Sequence, residues 1–206
     1  MGKNLYVTTA IPYVNGVPHI GHAIDYLLAD IWARYWRQNN KQVRFQVGTD
    51  EHGNKVAAKA TAENLTPQAY TDKMSEGFKD FIQKMNVDYT DFIRTTESHH
   101  LGAVQYIWQQ LAPYIYKDTY EGWYCVGHEA FFTDKEVEET GGTCPDHQAP
   151  YQHVSEENYF LRCSDFTEQV RTAIETKKMQ IVPEFRAKEY LELMKNGLKD
   201  VSISQP

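Results

Sequence analysis

A chain of 206 residues has room for one or two compact domains with a sizeable core, and 41% hydrophobic and 13% aromatic residues are the proportions of an ordinary globular protein. No apolar run is long enough to cross a bilayer, and MGKNLYVTTA lacks the charged start and apolar stretch of a signal peptide, so a cytoplasmic protein without a membrane partner is expected. The net charge of −7, with no basic run, argues against this segment being the main electrostatic platform for a nucleic acid.

Leu5 to Thr9 is a short β-branched and aromatic run, ended by Ile11-Pro12 and an Asn15-Gly16 turn. A helix is expected from His19 to Gln38, because Ile20, Ile24, Leu27, Leu28, Ile31 and Tyr35 recur at helical spacing as one apolar stripe. Val43 to Val47 reads as a second strand, followed by a helix from Asn54 to Glu63. Thr66 caps the next helix and Pro67 opens it, with an end near Met85. Asp91 to Thr95 reads as a third strand and Ser98 to Leu111 as a helix before Pro113. This alternation implies an α/β fold with a parallel sheet. From Tyr114 the texture changes. An aromatic strand, Tyr116 to Val126, leads into a glycine, proline and histidine cluster that runs to His153 and has little core of its own. Asp165 to Leu198 reads as two helices interrupted near Pro183, and the strand-like VSISQP has no expected partner. An unpaired strand there would favour association or disorder.

Two motifs fall where strands hand over to helices. In PHIGH, Pro18 to His22, the histidines are three apart, so both project from the first helical turn. Gly21 leaves room for a ligand against the backbone, and the helix start offers amide donors and a positive dipole end. Imidazoles there can donate to phosphate oxygens as charge grows at phosphorus. GTDEHG, Gly48 to Gly53, ends the second strand and brings Asp50 to the same sheet edge, where nucleotides bind in open α/β sheets. Its carboxylate can pair with an ammonium group or cap the following helix; His52 has no comparably clear task.

Three cysteines, an odd count, argue against a disulfide framework. Cys125-x2-His128 and Cys144-x2-His147, with 15 residues between the pairs and Gly141-Gly142 to turn the chain, have the spacing of a four-ligand zinc knuckle. Such a site has no open position, so the ion would be structural and would supply folding energy to a small insertion. His153 is a spare candidate ligand with poorer spacing, and Cys163 reads as buried.

PHIGH resembles the HIGH signature of class I aminoacyl-tRNA synthetases, and Thr8 to Ala23, TTAIPYVNGVPHIGHA, is similar to the methionyl-tRNA synthetase version of it. GTDEHG, Glu121 to Phe132 and Glu157 to Arg162 match further blocks of that family in order. The resemblance implies an incomplete Rossmann-type (HUP-like) catalytic domain split by a connective insertion. Residues 1–113 would form its first half, 114–156 the insertion with the zinc knuckle, and 157–206 a helical remainder. It further implies ATP-dependent activation of methionine, with Mg²⁺, to methionyl-adenylate, then transfer to tRNA(Met). His19 and His22 would contact the ATP phosphates, Gly21 and Asp25 would border the nucleotide, and Asp50 would hold the α-ammonium group of methionine. Ala10, Ile11 and Tyr13 would border the methionine side chain, a task that suits apolar and aromatic groups facing a thioether.

The chain departs from the family in several places. Asp25 stands where glutamate is frequent, His128 where cysteine is common, and Gln205 where arginine follows SIS. KMSKS is absent; Lys73-Met74-Ser75-Glu76 resembles it by chance and reads as a solvated helix face. The chain therefore reads as a truncated N-terminal piece of a ligase, inactive by itself. Rival readings are a small nucleotidyltransferase, another class I synthetase and a non-catalytic synthetase-like binding module. A nucleotidyltransferase would lack the knuckle and the GTDEHG block, a substrate screen separates the synthetases, and the downstream reading frame separates a cut enzyme from a free-standing module.

Overall fold

The computed structural model describes residues 4–128 and 130–204, with backbone alone at 120 and 156. Gln205 and one residue of the Glu121 to Phe132 block, Glu129, lie outside the described residues. The chain forms two compact units, Met1–Ile107 and Trp108–Pro206.

The first unit is the expected α/β layer. Strands β1 (Leu5–Thr8), β2 (Val43–Thr49) and β3 (Asp91–Arg94) lie parallel in the order β1-β2-β3. Leu5 pairs with Val43, and Gln46 with Asp91. Helix α1 (Ile20–Gln38) crosses from β1 to β2, and α2 (Asn54–Ala62) and α3 (Pro67–Lys84) cross from β2 to β3. Phe45 and Val47 of β2 are fully buried among Tyr26, Ala33, Ile82 and Val87, so the hydrophobic gain concentrates on the central strand. Gly48 lies in that strand because a Cβ there would meet the Ile93 carbonyl oxygen at 2.3 Å. Thr66 caps α3 as expected, accepting from the Ala69 amide at 3.2 Å.

Two expectations for these helices are corrected. The face of α1 buried against the sheet carries Ala23, Tyr26, Asp30 and Ala33. The apolar stripe lies elsewhere, with Ile20 80%, Ile24 62%, Leu28 64% and Ile31 63% exposed. Small alanines admit the helix close to the strands, and Asp30 is tolerated because it accepts from Arg34 Nε at 2.7 Å and the Asp88 amide at 2.9 Å. In the KMSE run of α3, Lys73 pairs with Glu63, but Met74 and Ser75 are buried, so that run is not a solvated face.

Helix α4 (Ser98–Leu111) precedes an antiparallel sheet, in the order β5-β4-β6-β7, within the second unit. Its strands are β4 (Ile115–Cys125), β5 (Ala130–Phe132), β6 (Gln152–Leu161) and β7 (Val201–Ser202). The expected boundary after 156 falls inside β6, which runs beside β4 from Tyr124↔Gln152 to Ile115↔Leu161. The C-terminal run is not unpaired. Phe160 pairs with Ser202, and the Ile203 amide donates to the Tyr159 carbonyl at 2.8 Å. Short helix α5 (Asp134–Glu139) is held by a Thr133–Glu136 capping box. Helices α6 (Thr167–Glu175) and α7 (Glu184–Leu193) follow, separated at Pro183 as expected. Among the described residues no helix is long and apolar enough to cross a membrane.

Candidate functional site

His19 is the N-cap of α1, and its capping box is built from histidine. The Gly21 amide donates to His19 Nδ1 at 3.1 Å, and the His19 amide donates to His22 Nδ1 at 3.1 Å. An acceptor Nδ1 places the proton of a neutral imidazole on Nε2, so each ring keeps one N–H donor that the cap does not use. Desolvation and then the neighbouring His19 hold His22 below the usual histidine range and favour its neutral form, against an opposing upward pull from Asp25. The ring centroids lie 3.9 Å apart. Gly21 gives the cap its room, because a Cβ there would sit 2.9 Å from His19 Cε1 and push the ring aside.

A cavity of ≈370 Å³ opens beside this turn, lined by Ala10, Pro12, Gly21, His22, Asp25 and Tyr26. The sequence-derived residues Ala10, Gly21, His22 and Asp25 therefore share one hollow. Asp25 also ties the loop after β1 to α1, since its Oδ2 accepts from the Ala10 amide at 3.1 Å. Tyr26 contributes a hydroxyl that is buried and has no hydrogen-bond partner among the described residues. Burial, with Asp25 adding to it, pushes that phenol up to about 12.

Asp50 is placed by its backbone. Its amide donates to the Pro12 carbonyl at 2.9 Å, and its carbonyl accepts from the Val14 amide at 3.1 Å, so Tyr13 and Asp50 pair as an isolated parallel bridge. Pro12 lines the cavity, whereas Ile11, Tyr13, His19 and Asp50 are not among its lining residues; the Tyr13–Asp50 bridge ties them to the same loop. Tyr13 is 51% exposed and His19 is also exposed, so both are accessible to solutes. His52 turns away toward Thr95, its Nε2 3.3 Å from the Thr95 carbonyl oxygen.

Glu51, for which the sequence suggests no role, anchors this loop. Its side chain is 0% exposed and receives Arg94 through both oxygens, Nε at 2.7 Å and Nη2 at 2.9 Å. Thr49 donates to it at 2.8 Å, Thr96 donates as well, and the Glu51 amide donates to Thr95 Oγ1 at 2.9 Å. Arg94 also reaches Asp72 of α3 at 2.6 Å, and that bond holds the Asp72 carboxyl below its usual range. A buried carboxylate flanked by two threonines and a distant arginine has no local sequence periodicity; only the DE pair in GTDEHG hinted at it.

In the second unit the four candidate ligands converge. Ligand atoms of Cys125, His128, Cys144 and His147 all lie within 4.8 Å of one another. Cys144 Sγ is 3.4 Å from His128 Nδ1 and 3.5 Å from His147 Nδ1, and Cys125 Sγ is 3.8 Å from His147 Nδ1. Tetrahedral zinc, with bonds of about 2.3 Å to sulfur and about 2.0 Å to nitrogen, separates sulfur from nitrogen by about 3.5 Å, so the donor set fits. Burial pushes the Cys125 thiol up, but its interactions with the His128 amide and side chain, with Cys144 and with the Gly127 amide outweigh it and bring it down to about 6. Gly127 makes space for the cluster, because a Cβ there would lie 2.3 Å from His147 Cγ. Gly141 and Gly142 turn the chain with φ of 65° and 79°, as their place before Cys144 suggested. His153 stays outside the cluster, edge-on to Trp123, and Cys163 is half-exposed rather than buried.

A profile for the family "tRNA synthetases class I (M)" matches residues 5–155. Methionine–tRNA ligase of Rickettsia typhi is 41% identical over 212 residues, an alignment covering 100% of this chain and 40% of that protein. Methionine–tRNA ligase 1 of Bacillus cereus is 40% identical, covering 98% of this chain and 32% of the relative. Mycobacterium tuberculosis methionyl-tRNA synthetase in complex with methionyl-adenylate superimposes with a TM-score of 0.89 at 37% identity, covering 98% of this chain and 41% of that one. The chain thus spans less than half the length of these relatives.

Proposed function

The chain belongs to the class I tRNA synthetases of the methionine (M) family, and from that premise we propose that it carries part of a methionine-activating site. In this reading the parent ligase joins methionine to ATP. A methionine carboxylate oxygen attacks the α-phosphorus, pyrophosphate leaves, and methionyl-adenylate forms; the 3′ hydroxyl of tRNA(Met) then takes the methionyl group and releases AMP. The work takes place in the cytoplasm.

The observation that carries the reading is the histidine capping box beside the cavity. Nδ1 of each ring serves the fold, so Nε2–H of each is the group that meets phosphate oxygens, aided by the positive end of α1. Mg²⁺ enters with ATP as part of the substrate and neutralises phosphate charge. Gly21 and Asp25 border the nucleotide; Ala10, Ile11 and Tyr13 border the thioether; Asp50 receives the ammonium group. Catalysis is then mainly positioning and electrostatic stabilisation by fixed donors.

Cys125, His128, Cys144 and His147 hold one structural Zn²⁺, which when bound joins the β4–β5 turn to the Cys144 loop and adds folding energy to a unit whose local core is small. The connective insertion, from residue 114 on, falls within the second unit.

Methionine-dependent ATP–pyrophosphate exchange tests the reading. The 206-residue chain alone is expected to show none, and the polypeptide extended to the length of its relatives is expected to exchange with methionine and not with leucine, isoleucine or valine. No exchange by the extended polypeptide, or exchange with another amino acid, overturns it. Metal analysis of protein never exposed to chelator tests the zinc assignment, which falls if the content is below about a tenth of an equivalent.

A further inference from the structure

Asp146 lies between two of the cysteine and histidine ligands in sequence, and its carboxylate oxygen Oδ2 is 3.1 Å from His128 Nε2. A carboxylate can only accept, so Nε2 carries the proton. In the neutral ring that leaves the lone pair on Nδ1, the atom that lies 3.4 Å from Cys144 Sγ. The two ring nitrogens of His128 therefore face opposite tasks, one toward the cluster and one toward the acid.

We propose that Asp146 is a positioning residue for the metal site: it fixes the tautomer and orientation of His128 so that Nδ1 is the ligating atom. The proposal rests on the zinc assignment above and concerns the place where histidine stands in this chain. Histidine differs from cysteine here in a way that creates the need. A thiolate presents one ligand atom whatever its rotation, whereas an imidazole has two nitrogens and must be told which to offer. His128 is 33% exposed in its side chain and meets the rings of Phe132 and His147 at centroid distances of 5.5 and 4.4 Å, apolar and edge contacts that do not distinguish its two nitrogens. Hydrogen-bonded carboxylates behind a ligating histidine raise its basicity and typically contribute about 10- to 100-fold in metal affinity. His147 faces the cluster through Nδ1 as well, but Gly127 packs against its ring and constrains it sterically.

Zinc itself is the probe. The 206-residue chain and its variants are titrated against a chromophoric chelator, and the nitrogens of His128 are followed by long-range proton–nitrogen correlation in the zinc-loaded protein. Asp146→Ala is expected to weaken zinc binding by about 10- to 100-fold, while Asp146→Asn, whose amide oxygen still accepts from Nε2–H, retains most of the affinity. Glu138→Ala removes the same charge from an exposed position nearby and is expected to leave the affinity within about twofold. In the wild type, the His128 spectrum is expected to show a protonated Nε2 and a metal-bound Nδ1. Equal losses in Asp146→Ala and Glu138→Ala, an unchanged affinity in Asp146→Ala, or ligation through Nε2 would each overturn the proposal. Wild-type protein that takes up no zinc would overturn it together with the zinc assignment, which separates the two failures.

Discussion

Replacing Arg94 by methionine isolates the contribution of the buried ion pair beneath the Asp50 loop. Methionine keeps most of the apolar stem and removes three charge-assisted bonds: two to Glu51, at 2.7 and 2.9 Å, and one to Asp72 at 2.6 Å. Asp72 is half-exposed and can rehydrate, so its loss costs little. Glu51 cannot, because its side chain is 0% exposed. It would keep the hydroxyl donors of Thr49 and Thr96, which are dipoles and not a counter-charge. An uncompensated buried charge of this kind costs about 3–5 kcal/mol, a large fraction of a typical domain's stability. Urea unfolding of the 206-residue chain, extrapolated to water, measures it. Removing the charge as well, in the Glu51→Gln, Arg94→Met double variant, should recover at least about 2 kcal/mol of that loss. A single-variant cost below about 1 kcal/mol, or a double variant no better than the single, would show that the pair is not the support described.

Three other outcomes follow from the same geometry. Tyr26→Phe removes a buried hydroxyl without a partner among the described residues and should raise thermal stability by about 1 kcal/mol; a loss would mean that the hydroxyl is bonded in solution. His19→Asn keeps an acceptor at the N-cap, so unfolding should change by less than about 0.5 kcal/mol, while pyrophosphate exchange by the extended polypeptide falls about 10²- to 10³-fold through loss of the Nε2–H donor. Asp72 is depressed chiefly by its bond to Arg94, and Asp91 chiefly by its bond to Arg44, so each stabilises the fold above its ordinary value of 3.8 and loses that contribution as the pH falls through the depressed value. Acid titration followed by circular dichroism should therefore show stability falling below pH ~4, less steeply in Arg94→Met.

Most of the first unit was legible because its signals are local. Alternating strands and helices, Thr66-Pro67 at a helix start, and the spacing of His19, Gly21 and His22 each act over a few residues. The ligand cluster was legible for the same reason: two pairs, each with two residues between, and a glycine turn. What the sequence misdirected was the facing of α1. Periodic apolarity marks a face but does not say what it meets, and here the inward face is drawn by alanines and a paired aspartate that no hydrophobic count would choose. β6 escaped notice because QHVSEENYFL is polar for most of its length, and its partner β4 is 27 residues away from end to start. Glu51 and Arg94 are 43 apart, and that pairing could be read only from the fold.

The two sites solve one problem in two ways. An imidazole is useful because its nitrogens differ, and each histidine must be held so that the correct nitrogen is free. At the start of α1 the backbone does this: amides of His19 and Gly21 occupy both Nδ1 atoms and leave both Nε2–H groups for a ligand. At the cluster the assignment is reversed, since Asp146 occupies Nε2 of His128 and leaves Nδ1 for a metal. A backbone donor selects a histidine that donates, as a phosphate requires; a carboxylate acceptor selects a histidine that ligates, as a cation requires. Backbone N–H behind His19 and His22, against a carboxylate behind His128, thus leaves opposite nitrogens free on these three rings.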